Sequence, residues 1–483
     1  MADQMRIIQL FAEAPAPAGT GAQARAYHLA KGLARLGELT AALLVEHGHG
    51  SVPPDLALQC SAVIQPPAGF RTGRTLQRKR PRWLNALRAL TILAAPWRNS
   101  GRQLMIAGGG NCVTRAERPV DHRVSAFHAL YADLLYTEAR ACARMFDILP
   151  LGSLIRTGEF DVVRSEIVRL HAGKEVSVIW CEHSYLYPLA ERLRRFWPHA
   201  RLVCDAHNVE YVLQTRIAGT MKSDRGRRWA LLEAGILKRW EERMLARADL
   251  TLCCSEVDAT IFREQSPGAP VKVVPNGVDT DHFQPGPGPS AAPTILFSGT
   301  AGYHPNDDAV SWFVAEILPV IRRAMPQVRL RLAGRRADVE WGHFAAADSL
   351  IEVASDVPDM RPLFRQAWVC VAPLRSGSGT RIKILEAMAM GRAVVSTTVG
   401  AEGIELTPDR HLCLADEPAK FAAKVVELLQ GAERRREMER AARELACAKY
   451  DWKLMTARVT HAFEEHLTLH NLWQTNEVFT NTR

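Results

Sequence analysis

Three features are missing from this 483-residue sequence, and each absence excludes a class of protein. No run of about 18 apolar residues occurs, which argues against a membrane-spanning helix. The ten cysteines include no C-x-x-C pair, so neither a zinc site nor a disulfide framework has the required spacing. The first residues lack a basic segment followed by a long apolar core, so no secretory signal is visible. We therefore expect buried free thiols in a cytoplasmic protein, or in one held on the inner face of a membrane.

The composition is that of an ordinary folded protein. Apolar residues make up 47% of the chain and charged residues 23%, which excludes a chain too polar to bury a core. At about 100–200 residues per domain, the length predicts two to four domains, most simply two large ones. The formal charge of +9 is modest for this size. It favours anionic ligands or a membrane surface and gives no argument for nucleic acid.

Short apolar segments alternate with amphipathic segments in both halves of the chain. The apolar segments of the first half are Arg6–Phe11, Leu39–Val45, Val176–Cys181, Arg201–Asp205, Leu250–Ser255 and Val271–Val274, with helices at Gln23–Leu36 and Leu189–Phe196. In the second half, the predicted strands are Thr294–Ser298, Val328–Ala333, Trp368–Ala372 and Ala393–Ser396. The predicted helices there are Asp308–Ala324, Ile382–Met390, Lys420–Leu429 and Arg434–Ala448. Such alternation is typical of parallel sheets covered on both faces, and two α/β domains in series predict a cleft between them.

A segment rich in proline and glycine, Pro275–Thr294, predicts a linker between the halves. We expect residues 1–280 to form the first domain and residues 281–450 the second. Residues 451–483 would form a C-terminal helix crossing back to the first domain, and a tail. An insertion at about 65–130 breaks the alternation. Its basic, tryptophan-containing stretch, residues 70–102, is consistent with a solvated helix pair or with a peripheral contact on anionic lipid.

The strongest local motif is VAPLRSGSGTRIKILEAMAMGRAVVST. A strand runs into the glycine-rich turn 377–380, and a helix follows from near Thr380. Backbone N–H groups of such a turn can approach an anion closely, and the start of a helix favours negative charge. Arg381 and Lys383 add two positive charges, and Glu386 can accept hydrogen bonds from sugar hydroxyls. The motif therefore predicts a diphosphate site beside a sugar.

Polar residues follow two predicted strands of the first half, where catalytic groups of parallel sheets collect. The segment CDAHNVEY supplies Asp205, His207, Asn208 and Glu210. Of these, His207 and Glu210 are candidates to orient acceptor and donor hydroxyls. The segment WCEHSYLYP places Glu182 and His183 in the same way.

Residues Gly19–Ala24 match the G-x-G-x-x-A pattern of a dinucleotide site, with Glu46 as the ribose acceptor. Seven residues separate Phe11 from Gly19, whereas that fingerprint turn follows its strand at once. An NAD-dependent oxidoreductase is therefore the less favoured alternative.

The sequence resembles the group 1 (family 4) glycosyltransferases of GT-B architecture. The resemblance rests on VVPNGVDTDHFQP, GYHPNDDAVSWF and LEAMAMGRAVVSTTVGAEGI in the second half, and on CDAHNVEY in the first. It implies an α/β fold of two Rossmann-like doubly wound domains facing a central cleft. It also implies transfer of a hexose from a nucleotide diphosphate sugar to a glycan or lipid-linked acceptor, with retention and without a bound metal, in cell-surface polysaccharide or glycoconjugate synthesis. No cofactor is expected besides this substrate.

By position, Glu386 resembles the second Glu of the family's E-x7-E motif, which holds the nucleotide ribose. The first Glu falls on Ser378 and is absent, which keeps a non-catalytic nucleotide-sugar binder as an alternative. The Arg and Lys that usually follow F-x-G are also absent, since Thr300 follows Gly299. Arg335 and Arg336 are a second possible source of that charge.

The motifs and the resemblance together give the expected site. The catalytic candidates are His207, Glu210, Arg381 and Lys383. The expected donor-binding residues are Gly19, Gly21, Gly299, Val357, Gly377, Ser378, Gly379, Thr380 and Glu386. The expected acceptor-side residues are Asp205, Asn208 and His183. No metal ligand is expected.

Overall fold

A computed structural model describes residues 5–17, 19–44, 51–65, 159–286 and 288–468. Apart from residue 65, the predicted insertion at about 65–130 lies outside the described residues, as do its basic stretch 70–102 and Glu46. The chain divides into two compact units. The first contains Met1–Ala14 and Gly37–Cys204, and the second contains Pro15–Leu36 and Asp205–Arg483.

The described strands belong to two sheets, one of seven strands and one of six. The strands of the first sheet are β1 (Arg6–Phe11), β2 (Glu38–Leu43), β3 (Ala62–Ile64), β4 (Val178–Glu182), β5 (Arg201–Ala206), β6 (Leu250–Cys253) and β7 (Val271–Val273). The strands of the second sheet are β8 (Thr294–Ser298), β9 (Arg329–Gly334), β10 (Ile351–Ser355), β11 (Val369–Ala372), β12 (Ala393–Ser396) and β13 (Cys413–Leu414).

Helices connect most of these strands. Those before the second sheet are α1 (Gly21–Leu36), α2 (Pro54–Ala57), α3 (Glu159–Leu170), α4 (Tyr187–Leu193), α5 (Glu210–Thr220), α6 (Asp224–Leu245) and α7 (Glu256–Gln265). Those that follow are α8 (His304–Trp312), α9 (Leu318–Ala324), α10 (Ala337–Ala347), α11 (Arg361–Gln366), α12 (Ile382–Ala389), α13 (Pro418–Gln430), α14 (Ala432–Lys449) and α15 (Trp452–Phe463). Across the described residues, no helix combines the length and apolarity needed to cross a bilayer.

In the first unit, β1 pairs in parallel with β2 on one side and with β4 on the other. Strand β3 extends the sheet beyond β2. Ile8 lies opposite Thr40 and Ile179, and every residue of β1 after Arg6 is buried. Because both faces of β1 are covered, its sequence is a continuous apolar run interrupted only by Gln9. The strand order of this sheet is β3-β2-β1-β4-β5-β6-β7, so the chain adds strands on one side of β1 and then on the other. This reversal at β1 is typical of a doubly wound fold.

The second sheet has the order β10-β9-β8-β11-β12-β13, and its neighbouring strands are parallel. Ile295 and Phe297 of β8 join one apolar cluster, whereas Leu296 joins another. The two clusters cover opposite faces because successive side chains of a strand point in opposite directions. Burying each such side chain contributes about 1.5–3 kcal/mol, so both faces stabilise this sheet.

Some elements differ from the sequence prediction. The helix expected at Asp308–Ala324 begins at His304 instead, because Pro305 is tolerated in the first turn, and a π-helical segment at Phe313–Ile317 interrupts it. Strand β10 is not predicted because it is an edge strand with polar residues and only Ile351 fully buried. The two-residue strand β13 is likewise not among the predicted strands.

The predicted linker Pro275–Thr294 is packed in its first part. Val278 and Phe283 are buried in the core, and Val278 forms a β-bridge with Asp451. Arg443 donates hydrogen bonds to the carbonyl oxygens of Phe283 and Thr280 at 2.6 and 3.0 Å. Its proline and glycine content indicated a connection between elements, but not these contacts.

The C-terminal helix α15 packs on α1. The rings of Trp452 and His28 stack with their centroids 4.8 Å apart. A Cβ on Gly32 would lie 2.6 Å from Cγ2 of Thr456, so the two helices approach closely at that glycine. The domain boundaries predicted above remain predictions.

Candidate active site

The glycine-rich turn lies between the carboxyl end of β11 and the start of α12. Gly377 and Gly379 have φ values of +146° and +73°, in the region that residues with a Cβ rarely adopt. A Cβ on Gly377 would collide with the Arg381 guanidinium, and one on Gly379 would collide with the carbonyl oxygen of His207. The turn therefore requires glycine at both positions.

Side chains hold all four carbonyl oxygens of the turn 377–380. Arg216 Nη1 donates to the first at 2.6 Å, Arg381 Nη1 donates to the second and third, and Asn276 Nδ2 donates to the fourth at 3.0 Å. In the described part of the chain, no main-chain N–H of the turn donates to a protein acceptor. An anion is the ligand that such a series of N–H groups binds.

Arg381 stands immediately before α12. Its backbone is extended, with φ −85° and ψ 100°, so the helix begins at Ile382, the first residue of the predicted helix Ile382–Met390. Burial lowers the pKa of Arg381, and its Nη2 atom is buried without a hydrogen-bond partner. Leaving a buried donor unsatisfied costs about 1–3 kcal/mol, more when it is charged. An anionic oxygen beside this atom would remove that cost.

Lys383 and Glu386 lie on the first turns of α12. Both side chains are partly exposed to solvent. Desolvation by the surrounding protein is nevertheless the largest influence on the pKa of each. Desolvation and the charge of Arg381 together lower the pKa of Lys383 to about 7, which the charge of Glu386 partly opposes. Desolvation raises the pKa of Glu386 to about 7, which the charge of Lys383 partly opposes. A bound anion would therefore favour the charged form of Lys383.

Asn306 takes part in this site, although it is not among the predicted site residues. Its Oδ1 accepts a hydrogen bond from Lys383 Nζ at 2.8 Å, and its Nδ2 donates to the carbonyl oxygen of Thr300 at 2.8 Å. A Cβ on Gly299 would lie 2.7 Å from Lys383 Nζ and 2.9 Å from Asn306 Nδ2. The absence of a side chain at Gly299 thus lets the lysine reach the end of β8.

Asp205 lies near the end of β5, and His207 directly follows that strand. His207 Nε2 lies 3.3 Å from Asp205 Oδ2. Arg25 is completely buried and binds both Asp205 oxygens, with distances of 2.7 and 2.6 Å. Burial alone would raise the pKa of Asp205, but Arg25 and His207 hold it well below its usual value. Asp205 is therefore a permanent carboxylate that orients His207.

Arg25 also connects this carboxylate to the glycine-rich turn. Its Nη1 donates to Asn276 Oδ1 at 3.2 Å, and Asn276 Nδ2 donates to Thr380 O at 3.0 Å. The sequence predicts PNGVD only as the start of the linker Pro275–Thr294. The buried Asn276 instead links the two predicted parts of the site.

Glu210 is the first residue of α5. Its Oε1 accepts a hydrogen bond from Asn208 Nδ2 at 3.3 Å, and burial raises its pKa to about 7. The Glu241 carboxylate accepts hydrogen bonds from the N–H groups of Glu210 and Tyr211 at 2.7 and 3.4 Å, which stabilises the start of this helix. With a pKa raised to about 7, Glu210 can exchange a proton near pH 7.

The segment at Gly19 and Gly21 forms the start of α1. Thr20 N–H donates to Gln23 Oε1 at 2.9 Å, and Gln23 N–H donates to Thr20 Oγ1 at 3.3 Å. This reciprocal pair is a capping box, which explains the Thr and Gln of GTGAQ without a dinucleotide. A Cβ on Gly21 would lie 3.4 Å from Cδ1 of Ile382, so the starts of α1 and α12 are neighbours.

Glu182 and His183 lie at the carboxyl end of β4. Glu182, in the first unit, accepts hydrogen bonds from Gln9 Nε2 at 2.5 Å and Trp180 Nε1 at 2.8 Å. The next residue, His183, has φ +69° and stacks on Tyr185.

Two further expectations fall at the carboxyl edge of the second sheet. Val357 is half-buried in the turn after β10. Arg335 and Arg336 are exposed after β9, and Arg336 Nη2 donates to Glu340 at 3.0 Å. The second possible source of positive charge is therefore turned to solvent.

Two sequence profiles of known families match the chain. One, described as "Glycosyl transferases group 1", matches residues 292–431, and another, described as "Glycosyltransferase Family 4", matches residues 111–282. Together these segments span more than half of the chain.

Several curated proteins are similar in sequence. Phosphatidyl-myo-inositol mannosyltransferases of Mycobacterium leprae and Mycobacterium tuberculosis are 27% identical over 241 and 242 residues, which is 48% of this chain and 62% of theirs. An uncharacterized 44.6 kDa protein in the cps region of Klebsiella pneumoniae is 24% identical over 140 residues, 27% of this chain and 36% of that protein. The chain thus matches less than two thirds of the length of these relatives.

Solved structures share the fold. Sucrose-phosphate synthase from Thermosynechococcus elongatus superposes with a TM-score of 0.62 at 14% identity, covering 96% of this chain and all of that one. HepE of Anabaena, in complex with UDP and glucose, has a TM-score of 0.57 at 13% identity, covering 95% of this chain and all of that one. The predicted GT-B fold class, with two parallel α/β sheets, is confirmed.

Proposed function

Because the chain belongs to the group 1, family 4 glycosyltransferases, we propose that it transfers a sugar from a nucleotide diphosphate sugar to a glycan or lipid-linked acceptor. The observation that supports this most directly is the buried, unpartnered Nη2 of Arg381 beside the free N–H groups of the turn 377–380. Both are donors without acceptors, and a diphosphate would supply oxygens to both.

The donor would bind mainly through the second sheet and α12. The N–H groups of the turn, Arg381 and Lys383 would hold the diphosphate, and Glu386 would accept hydrogen bonds from the ribose hydroxyls. Negative charge grows on the diphosphate as the glycosidic bond breaks. Donors that bind the developing charge more strongly than the ground state lower the barrier. Arg381 and Lys383 are therefore placed to stabilise the leaving group.

His207 and Glu210 would orient the hydroxyl groups of the reacting sugars. Asp205 fixes the His207 ring, and Glu210 can accept or hold a proton near pH 7. We further propose that the acceptor hydroxyl attacks the donor sugar on the same face from which the diphosphate departs, so that the configuration is retained. The departing phosphate takes the proton of that hydroxyl. We also propose that transfer needs no metal ion, because Arg381, Lys383 and the start of α12 supply positive charge to the phosphates.

The relatives suggest which substrates to test first. Two are named as mannosyltransferases acting on phosphatidyl-myo-inositol, and the HepE structure contains UDP and glucose. Nucleotide-linked mannose and glucose are therefore the first donors, and a lipid-linked acceptor the first acceptor. We include synthesis of cell-surface polysaccharide or glycoconjugate in the proposal, and a cytoplasmic location. The cysteines in the described ranges are unpaired thiols, which supports a reducing compartment. Peripheral membrane contact through residues 70–102 rests on the sequence alone.

A panel of nucleotide sugars tests the donor assignment. Purified protein is screened by thermal shift, and each nucleotide sugar that stabilises it is then assayed for transfer to lipid-linked and glycan acceptors and for slow hydrolysis. We expect one nucleotide to stabilise the protein and the matching sugar to be transferred. Binding without transfer or hydrolysis would instead favour the non-catalytic nucleotide-sugar binder, which the serine at position 378 keeps open. Stabilisation by NAD alone would favour an oxidoreductase.

A further inference from the structure

Asp258 is a buried carboxylate to which the proposed function assigns no role. It lies in the first turn of α7 and is 4% exposed. Its Oδ2 accepts a hydrogen bond from Ser255 Oγ at 2.7 Å, and its Oδ1 accepts one from Ser378 Oγ at 3.2 Å. Burial raises its pKa, which these two hydrogen bonds and the charge of Arg381 oppose. The second hydrogen bond reaches the middle of the glycine-rich turn.

Ser378 passes this interaction on to the start of α5. Its Oγ accepts a hydrogen bond from Val209 N–H at 3.0 Å. Val209 immediately precedes α5, whose first two N–H groups donate to Glu241, so Ser378 satisfies the N–H just before the helix. Because Asp258 accepts the hydrogen bond that the Ser378 hydroxyl donates, the serine lone pairs are left to face Val209 N–H. Asp258 thereby fixes the direction of the hydroxyl.

The segment to which Ser378 is bound through Val209 carries His207. Val209 is two residues from His207, and the carbonyl oxygen of His207 is in such close contact with Gly379 that no Cβ fits between them. A displacement of Ser378 would therefore move both the N–H groups proposed to bind the diphosphate and the candidate catalytic histidine.

We propose that Asp258 supplies, through Ser378, the carboxylate that the E-x7-E pattern would place at residue 378 itself. Asp258 acts as a positioning residue: it holds the glycine-rich turn against the segment that carries His207. This inference rests on the proposed function. It also explains how the site remains organised although the first Glu of the pattern is absent.

A carboxylate swap tests the proposal. The variants are Asp258→Asn, Ser378→Ala, Ser378→Glu and the double variant Asp258→Ser with Ser378→Glu, which moves the single carboxylate across the contact. Glu256→Gln is the matched control, because Glu256 lies in the same helical turn but is exposed and pairs with Arg263 on the surface. Each protein is measured for kcat and KM of transfer, nucleotide affinity by calorimetry, and thermal stability.

We expect Asp258→Asn and Ser378→Ala to lower kcat by about 10- to 100-fold, because a hydrogen bond to a charged group is lost. Nucleotide affinity should fall less than kcat, by under tenfold or about 1.4 kcal/mol, because the N–H groups of the turn shift while Arg381, Lys383 and Glu386 are unchanged. Ser378→Glu alone should be worse, because two carboxylates then face each other. The double variant should recover much of kcat, which a merely structural role of either residue does not predict.

Two results would overturn the inference while leaving the proposed function intact. In the first, Asp258→Asn and Ser378→Ala transfer sugar as fast as Glu256→Gln. In the second, the double variant folds but is no more active than Ser378→Glu. Where an Asp258 variant does not fold, Ser378→Ala decides, because it leaves the carboxylate and α7 unchanged. Wild-type protein that neither binds nor turns over any nucleotide sugar would overturn the proposed function and this inference together.

Discussion

Replacing Arg25 by methionine tests whether the buried ion pair organises the second unit. The guanidinium and the Asp205 carboxylate are both fully buried. Arg25→Met keeps most of the side-chain volume but leaves Asp205 charged without its main partner. Removing one member of a buried pair costs about 3–5 kcal/mol, because the remaining charge is uncompensated. Arg25 also donates to the carbonyl oxygens of Val274 and Pro275 at 2.8 and 3.3 Å, so we expect the upper part of that range.

The cost should depend on pH in a defined direction. In the wild-type protein the pKa of Asp205 lies below its unfolded value. Its charged form therefore stabilises the fold above the unfolded pKa, and this contribution is lost as the pH falls through the folded pKa. In Arg25→Met, burial dominates and raises the pKa of Asp205. The stability difference between the two proteins should therefore shrink as the pH is lowered from 7 towards 4.

Urea unfolding followed by circular dichroism measures this difference, with the slope checked for each protein. Arg263→Met is the control, because that arginine forms an exposed pair with Glu256 and should cost about 1 kcal/mol or less. Arg25→Met combined with Asp205→Asn should recover part of the loss by removing the uncompensated charge. A loss below about 1 kcal/mol for Arg25→Met, equal to the control, would refute the reasoning.

Three further predictions concern the donor site. Glu386→Ala should weaken nucleotide binding by more than tenfold, about 1.4 kcal/mol, and unchanged calorimetric affinity would contradict its ribose role. Arg381→Ala together with Lys383→Ala should abolish transfer while circular dichroism shows an intact fold; normal turnover by this double variant would disprove the phosphate assignment. Treatment with a chelator should leave transfer unchanged in a fixed-time assay. Loss of transfer on chelation, restored only by an added divalent metal ion, would refute metal independence.

Much of the fold follows from local sequence patterns. Strand β8 occurs at Thr294–Ser298 as predicted, since its apolar run is long enough to be buried on both faces. Strand β10 escapes prediction because an edge strand is only partly buried, and its polar residues hide the pattern. The glycine-rich turn was predictable for a different reason. Its glycines and cations lie within seven consecutive residues, so their proximity needs no tertiary information.

The sequence by itself determined two doubly wound sheets and a group of anion-binding residues at the start of one helix. Only the tertiary structure showed which distant side chains hold that group in place. Arg25 and Asp205 are 180 residues apart, and Asp258 and Ser378 are 120 apart. Such residues are isolated polar positions in their own segments, where no periodicity or spacing marks them. They can be identified only in the folded structure. A charged or hydroxyl group that is buried must hydrogen-bond to a partner, and the fold determines which residue that partner is.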